Sequence, residues 1–223
     1  MLPRCPCWRR RFHQLHSGVD IAQFKEQLFG LGDLSINDYM CSTLASDPKG
    51  LSPTKFHNSV HNAAVGYWTI GTGCMAASNA VSAYEHSFGS GLLEAAVQSA
   101  CDQEPVLLVG YDTPTLGALT SVTDSRGLLA VALVIASEPG ERTVAALDWS
   151  LVSEDGKAVA ATPPRSEAAK SLAEINPMAQ SLGLFEALAH LDDGNVGGVG
   201  SPVDLPLSAT LSLRLQLRPF ARG

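Results

Sequence analysis

Positive charge is the scarcer sign in this chain. Fifteen Lys and Arg stand against 22 Asp and Glu, a formal net charge of −7 at pH 7 and a pI of about 5.3. A nucleic-acid-binding protein presents a basic face, so that class is set aside. Long apolar runs are also missing: none approaches the roughly 18 residues that a membrane-spanning helix needs, and no membrane contact is expected. Cysteine is sparse, with five residues at irregular spacing. An odd, unpatterned set argues against a disulfide framework and fits a reducing cytoplasm. The basic start, MLPRCPCWRRRFHQLHSG, lacks the apolar stretch of a signal peptide. Charged residues make up only 17 % of the 223 and hydrophobic ones 45 %. That describes a globular chain and suits a large subunit interface, although an α/β core raises the same values.

No internal repeat and no linker divides the sequence. Residues 1–18 read as a basic, poorly ordered tail and residues 19–223 as a single domain. Cys5, Cys7, His13 and His16 in the tail match no zinc spacing, so no metal is expected there. The segment 19–30 reads as a short helix or strand entry. Residues 35–46 form a helix that Ser35 can cap, with Ile36, Tyr39, Met40 and Thr43 at helical spacing. The stretch 47–53 is a Pro- and Gly-containing loop. Residues 58–70, NSVHNAAVGYWTI, form a small-residue helix in which Ala63, Ala64 and Gly66 permit close approach, so burial is expected. A loop follows over 71–78.

Strands are expected near 78–83, 106–110, 128–136, 144–152 and 209–217. EPVLLVGYD and GLLAVALVIAS are continuous apolar runs, the pattern of strands covered on both faces. ATLSLRLQL alternates instead, with Leu211, Leu213, Leu215 and Leu217 on one face, and reads as half-exposed. Residues 166–191 are helical and broken near Asn176-Pro177. Residues 192–204 form a glycine loop; its GNVGGVG follows a helix rather than a strand, a poor match to a phosphate-binding turn. The fold class is therefore α/β, a parallel or mixed sheet covered by helices.

The informative stretch is VSAYEHSFGSGLLEAA, residues 81–96. Val81 closes an apolar segment, and Phe88, Leu92, Leu93 and the following alanines take helical spacing to about Cys101. A sharp strand-to-helix turn of this kind presents the nucleophile in many enzymes. Here it offers Tyr84, Glu85 and His86, and no cysteine.

SPTKFHNSVHNAAVGYWTI, SAYEHSFGSGLLEAA and EPVLLVGYD, in that order, resemble the N-terminal half of β-ketoacyl synthases. The resemblance covers residues 28–137 and lies closest to the short ketosynthase-like chain length factors of aryl polyene and xanthomonadin-type pigment clusters. It implies a thiolase-like fold. It also implies that Glu85 stands where an active ketosynthase has its nucleophilic cysteine. Active members use two histidines from their second half, whereas only His190 follows His86 here. Acyl transfer from a carrier thioester needs a thiolate that attacks and then leaves. A carboxylate would give an anhydride, a poor store for an acyl chain. At a helix N-terminus, however, the dipole favours its charge, so Glu85 could fill the place of an oxyanion or cap the helix.

The resemblance thus implies a non-catalytic chain length factor in polyketide or fatty-acid-type elongation. It would use no cofactor, pair with a catalytic β-ketoacyl synthase in a heterodimer or higher assembly, and meet acyl carrier protein through that complex. Candidate tunnel or interface residues are His61, Asn62, Tyr67, Trp68, Val81, Tyr84, Glu85, His86 and Phe88. A stand-alone acyltransferase or hydrolase is the alternative, using Cys74 with His57, His61 and Asn62 as a Cys-His-Asn set, or Ser87. A buried or loop thiol is the commoner fate of such a cysteine. His57 and His61 have an i, i+4 spacing that can hold zinc, but no acidic third ligand accompanies them. A degraded gene product is the remaining reading.

Overall fold

The computed structural model describes residues 13–16, 25–29, 34–121, 123, 125–192 and 200–220, with residues 13–16 and 25–29 described as backbone. In chain order the strands are β1 (His13–His16), β2 (Lys25–Phe29), β3 (Ser78–Val81), β4 (Val106–Asp112), β5 (Leu129–Ala136), β6 (Thr143–Val152), β7 (Val203–Pro206) and β8 (Ser212–Pro219). The helices are α1 (Leu34–Ser46), α2 (Pro53–Asn58), α3 (Ala63–Thr72), α4 (Ser87–Asp102), α5 (Glu167–Ala173) and α6 (Leu182–Asp192). The described strands make one sheet in the order β3-β2-β4-β5-β1-β6-β8-β7. Pairing is parallel at β3-β2-β4 and antiparallel from β4 onward. Mixed α/β architecture is therefore observed, with all five expected strands present.

The β3-α4-β4 crossover explains itself residue by residue. β4 alternates across the sheet: Val106 and Leu108 enter the main core, while Leu107 and Val109 pack with Val134 and Trp68 of α3 on the other face. On the main-core face α4 buries Phe88, Leu92, Ala95, Ala96, Ser99 and Ala100, a stripe at helical spacing that is apolar except for Ser99. Its C-terminus closes with Gln103 in the left-handed region, φ 57°, whose amide donates to the Ser99 carbonyl at 3.1 Å. Phe88 meets Phe185 of α6 at 6.3 Å between ring centroids, which joins the two helices that cover this face. A 3-10 turn, Pro177–Ser181, rides closely over β4: a Cβ on Gly110 would lie 2.9 Å from Met178 Sδ.

β8 follows its alternation, with Leu213, Leu215 and Leu217 buried. On its other face Arg214 holds Asp204 through two bonds of 2.7 and 2.9 Å, and Arg218 pairs with Asp148 at 2.8 Å. The helical region 166–191 breaks at Asn176-Pro177 as expected. The buried Asn176 side chain accepts from the Met178 amide at 3.0 Å and donates to Ser125 Oγ at 3.4 Å.

Three expectations need correcting. His13–His16, placed in a tail outside the fold, form β1, paired on one side with β5 and on the other with β6. Residues 1–12, with Cys5 and Cys7, lie outside the described residues, as does most of the expected glycine loop, 193–199. Residues 58–70 are not one buried helix. The chain turns over 59–62, and α3 buries only Val65, because it covers one end of the sheet with only the short helix α2 against its outer side; Gly66 and Gly71 have open space beside them. Val203 and Asp204, read as the end of the glycine loop, belong to β7, which pairs with β8. No helix among the described residues is long and apolar enough to cross a membrane.

Candidate functional site

β3 ends at Val81, and a 3-10 turn over Tyr84–His86 leads directly into α4. Tyr84 carries φ 53°, a left-handed conformation that costs energy in a bulky residue. Ser87 holds it: its hydroxyl donates to the Tyr84 carbonyl at 2.6 Å and accepts from the Ala83 amide at 3.0 Å. The His86 amide also donates to the Ala83 carbonyl at 3.0 Å. Ser87 is buried and its hydroxyl is committed to the turn, so it is not poised as a nucleophile.

Tyr84 is 45 % exposed and Glu85 beside it is exposed. No described hydrogen bond from the Glu85 side chain caps α4. His86 is half-buried, with Nδ1 enclosed and without a hydrogen-bond partner. Beneath the turn lies a cavity of about 10 Å³, lined by Tyr84, Glu85, Ser87, Phe88, Asp112, Pro177 and Met178. That is room for about one water.

Asp112, the last residue of β4, was not singled out in the sequence. It is 3 % exposed, and neither carboxyl oxygen accepts a hydrogen bond of normal geometry. Burial pushes its pKa above the ordinary carboxyl value, against smaller downward pulls from the Ser125 hydroxyl and the Thr113 amide. The available signal was an acid ending an otherwise apolar strand, VLLVGYD.

The remaining candidates divide between the core and one exposed edge. Phe88 is 4 % exposed and belongs to the core, with Val81 packed against it. Trp68 is half-buried on Leu107 and Val134. Tyr67 is 54 % exposed; its hydroxyl donates to Asn58 Oδ1 at 2.8 Å, and His57 tilts against its ring at 6.4 Å. His61 and Asn62 are exposed on the turn before α3. Cys74 is buried beyond the helix's other end. Ten residues of helix, about 15 Å, separate it from His61 and Asn62, so these three do not form a catalytic set. Among the described residues no group of His, Cys, Asp or Glu could hold a metal ion.

β3 is the sheet's edge, paired only with β2 among the described strands. Close to it in sequence stand Phe56, Tyr67, Ile70 and Met75, each more than half exposed. An open edge strand beside exposed apolar side chains is a surface ready for another chain.

The mixed sheet, whose edge strand runs through a strained turn into a buried helix, agrees with the thiolase-like fold that the resemblance implies. Residues 32–194 match the family described as Beta-ketoacyl synthase, N-terminal domain, and the chain belongs to that family. No curated protein sequence matches it. Among solved structures it is similar to a ketosynthase (ApeO) in complex with its chain length factor (ApeC) from Xenorhabdus doucetiae. The identity is 23 % and the TM-score 0.60, over 87 % of this chain and 69 % of that one. It is also similar to the ishigamide ketosynthase/chain length factor, at 14 % identity and TM-score 0.63, over 92 % of this chain and 75 % of that one.

Proposed function

We propose that this protein is a chain length factor, a subunit that does not itself condense acyl groups but pairs with a catalytic β-ketoacyl synthase and helps to shape the acyl tunnel. One observation carries the reading. The strand-to-helix turn is built and held by Ser87, yet the residue at the nucleophile's place in the resemblance is Glu85, an exposed carboxylate. A thiolate is both nucleophile and leaving group in acyl transfer, and a carboxylate does not serve as both. The exposed edge at β3 supplies the surface through which the sheet would extend into the partner. Chain length would then be set sterically, by side chains that close the tunnel. Tyr84, exposed at the turn, is the foremost candidate, and the exposed Tyr67 and Glu85 are the next.

In this reading the acyl groups arrive on a carrier protein that docks on the complex, and the product class is a polyene or fatty-acid-type chain. The site of action is the cytoplasm. The test is a condensation assay with carrier-bound acyl and malonyl groups. The isolated chain is expected to give no product above a buffer control. Glu85→Cys is expected to give none either, because the pair of histidines that polarises the thioester is absent. Condensation by the isolated chain would sink the reading. A labelled acyl group retained on the chain and lost in Cys74→Ala would favour a stand-alone acyltransferase instead.

A further inference from the structure

A second, larger cavity lies at the far half of α4. Its volume is about 280 Å³, and it is lined by Leu93, Glu94, Val97, Ala100, Cys101, Trp149 and Leu151. The five helix positions form one continuous stripe, since residues three, four, seven and eight apart share a face. Trp149 and Leu151 come from β6. They have the same parity as the core residue Leu147 and so point to the face that α4 covers. Leu93 and Trp149 close the inner side against the core, while Val97 and Leu151 remain 40 % and 37 % exposed.

We infer that this cavity binds a straight, uncharged alkyl or acyl chain of about nine carbons. The length of the lining sets the size: Leu93 to Cys101 spans eight helical residues, about 12 Å, the reach of an extended chain of about nine or ten carbons. A stripe of one helix facing two residues of one strand makes an elongated trough, which fits a linear group better than a ring system. Glu94 sets the head group. It is the one carboxyl group of the lining, and Gln98 Nε2 donates to its Oε1 at 3.2 Å. A hydroxyl or amide at the ligand's end can donate to that carboxylate, whereas a second carboxylate is repelled. The cavity begins eight residues, about 12 Å, along the chain from Glu85, so the inference does not depend on the pairing proposed above.

The experiment titrates the purified full chain with primary alcohols from pentanol to dodecanol, reading dissociation constants by saturation-transfer NMR. Affinity is expected to rise about fourfold per methylene up to nine or ten carbons and then to level off. Decanoate is expected to bind at least fivefold more weakly than decanol in the unaltered chain, and Glu94→Gln to erase that difference. Val97→Trp, at an exposed position, fills the trough and should abolish decanol binding; circular dichroism checks that this variant is folded, and Cys101→Trp serves if it is not. No binding, a rise without a break through dodecanol, or unchanged binding in the folded trough-filling variant would overturn the site. Equal binding of decanoate and decanol by the unaltered chain would overturn the assignment of the head group.

Discussion

Asp112 is where a single residue says most about conditions. Its folded-state pKa is raised above the ordinary value of 3.8, chiefly by burial. A group of this kind binds protons more tightly in the folded than in the unfolded chain. Its stabilising contribution is therefore complete below the unfolded pKa and is lost as pH rises through the folded one. Tyr84 and Glu85 of the turn line the same small cavity as Asp112, and the 3-10 turn Pro177–Ser181 brings no titratable group. Asp112→Asn is expected to remove that loss, so the difference in unfolding free energy between variant and wild type should move in the variant's favour as pH rises from 3.5 upward, by about 1.4 kcal/mol per unit of pKa displacement. Urea unfolding at a series of pH values reads this directly, and a difference that is flat with pH would contradict it. The residue was hard to find in the sequence because burial, which raises its pKa, comes from the turn and from Met178, 66 positions downstream of it. Glu85 stands out in the sequence only because its neighbours carry the family resemblance, and its role remains part of the proposal.

At the scale of elements, the turn and α4 were readable and α3 was not. The three- and four-residue spacing of apolar residues from Phe88 to Ala100 marks a helix with one buried face, and Leu92 is 0 % exposed. Leu92→Ala should cost about 2–5 kcal/mol. Ser87→Ala should cost about 1–3 kcal/mol, because the buried turn loses both hydroxyl bonds; thermal or denaturant unfolding checks both values. In α3 the small residues Ala63, Ala64 and Gly66 suggested close packing, but small size permits an approach without requiring one. Trp68 turns inward onto the sheet, and Tyr67 and Ile70 face out, Ile70 with 81 % of its surface exposed. On the proposed function these outward residues meet the partner. Ile70→Asp is then expected to weaken association with the ketosynthase at least tenfold, while changing the isolated chain's stability by no more than about 0.5 kcal/mol. Loss of the isolated chain's stability without loss of pairing would reverse that assignment.

At the scale of the whole molecule, the sheet holds what apolar runs announce and one thing they do not. β4 and β5 are read from continuous Val, Leu and Ile, and β8 from strict alternation. β1 is HQLH, four residues with no apolar period, and it joins the sheet by pairing its backbone on both sides. A pattern search has no purchase on such a strand. What the fold leaves open is the opposite end of the sheet, where β3 has one described neighbour and an apolar surface stands beside it. On the proposed function this edge belongs to a second, catalytic subunit. The test is sedimentation velocity of the purified chain, alone and mixed with a β-ketoacyl synthase encoded in the same genome. The mixture is expected to sediment as a stable heterodimer or a multiple of it, with the chain more resistant to unfolding in the complex than alone. A well-folded monomer at micromolar concentration, with no complex and no gain in stability from the ketosynthase, would contradict it.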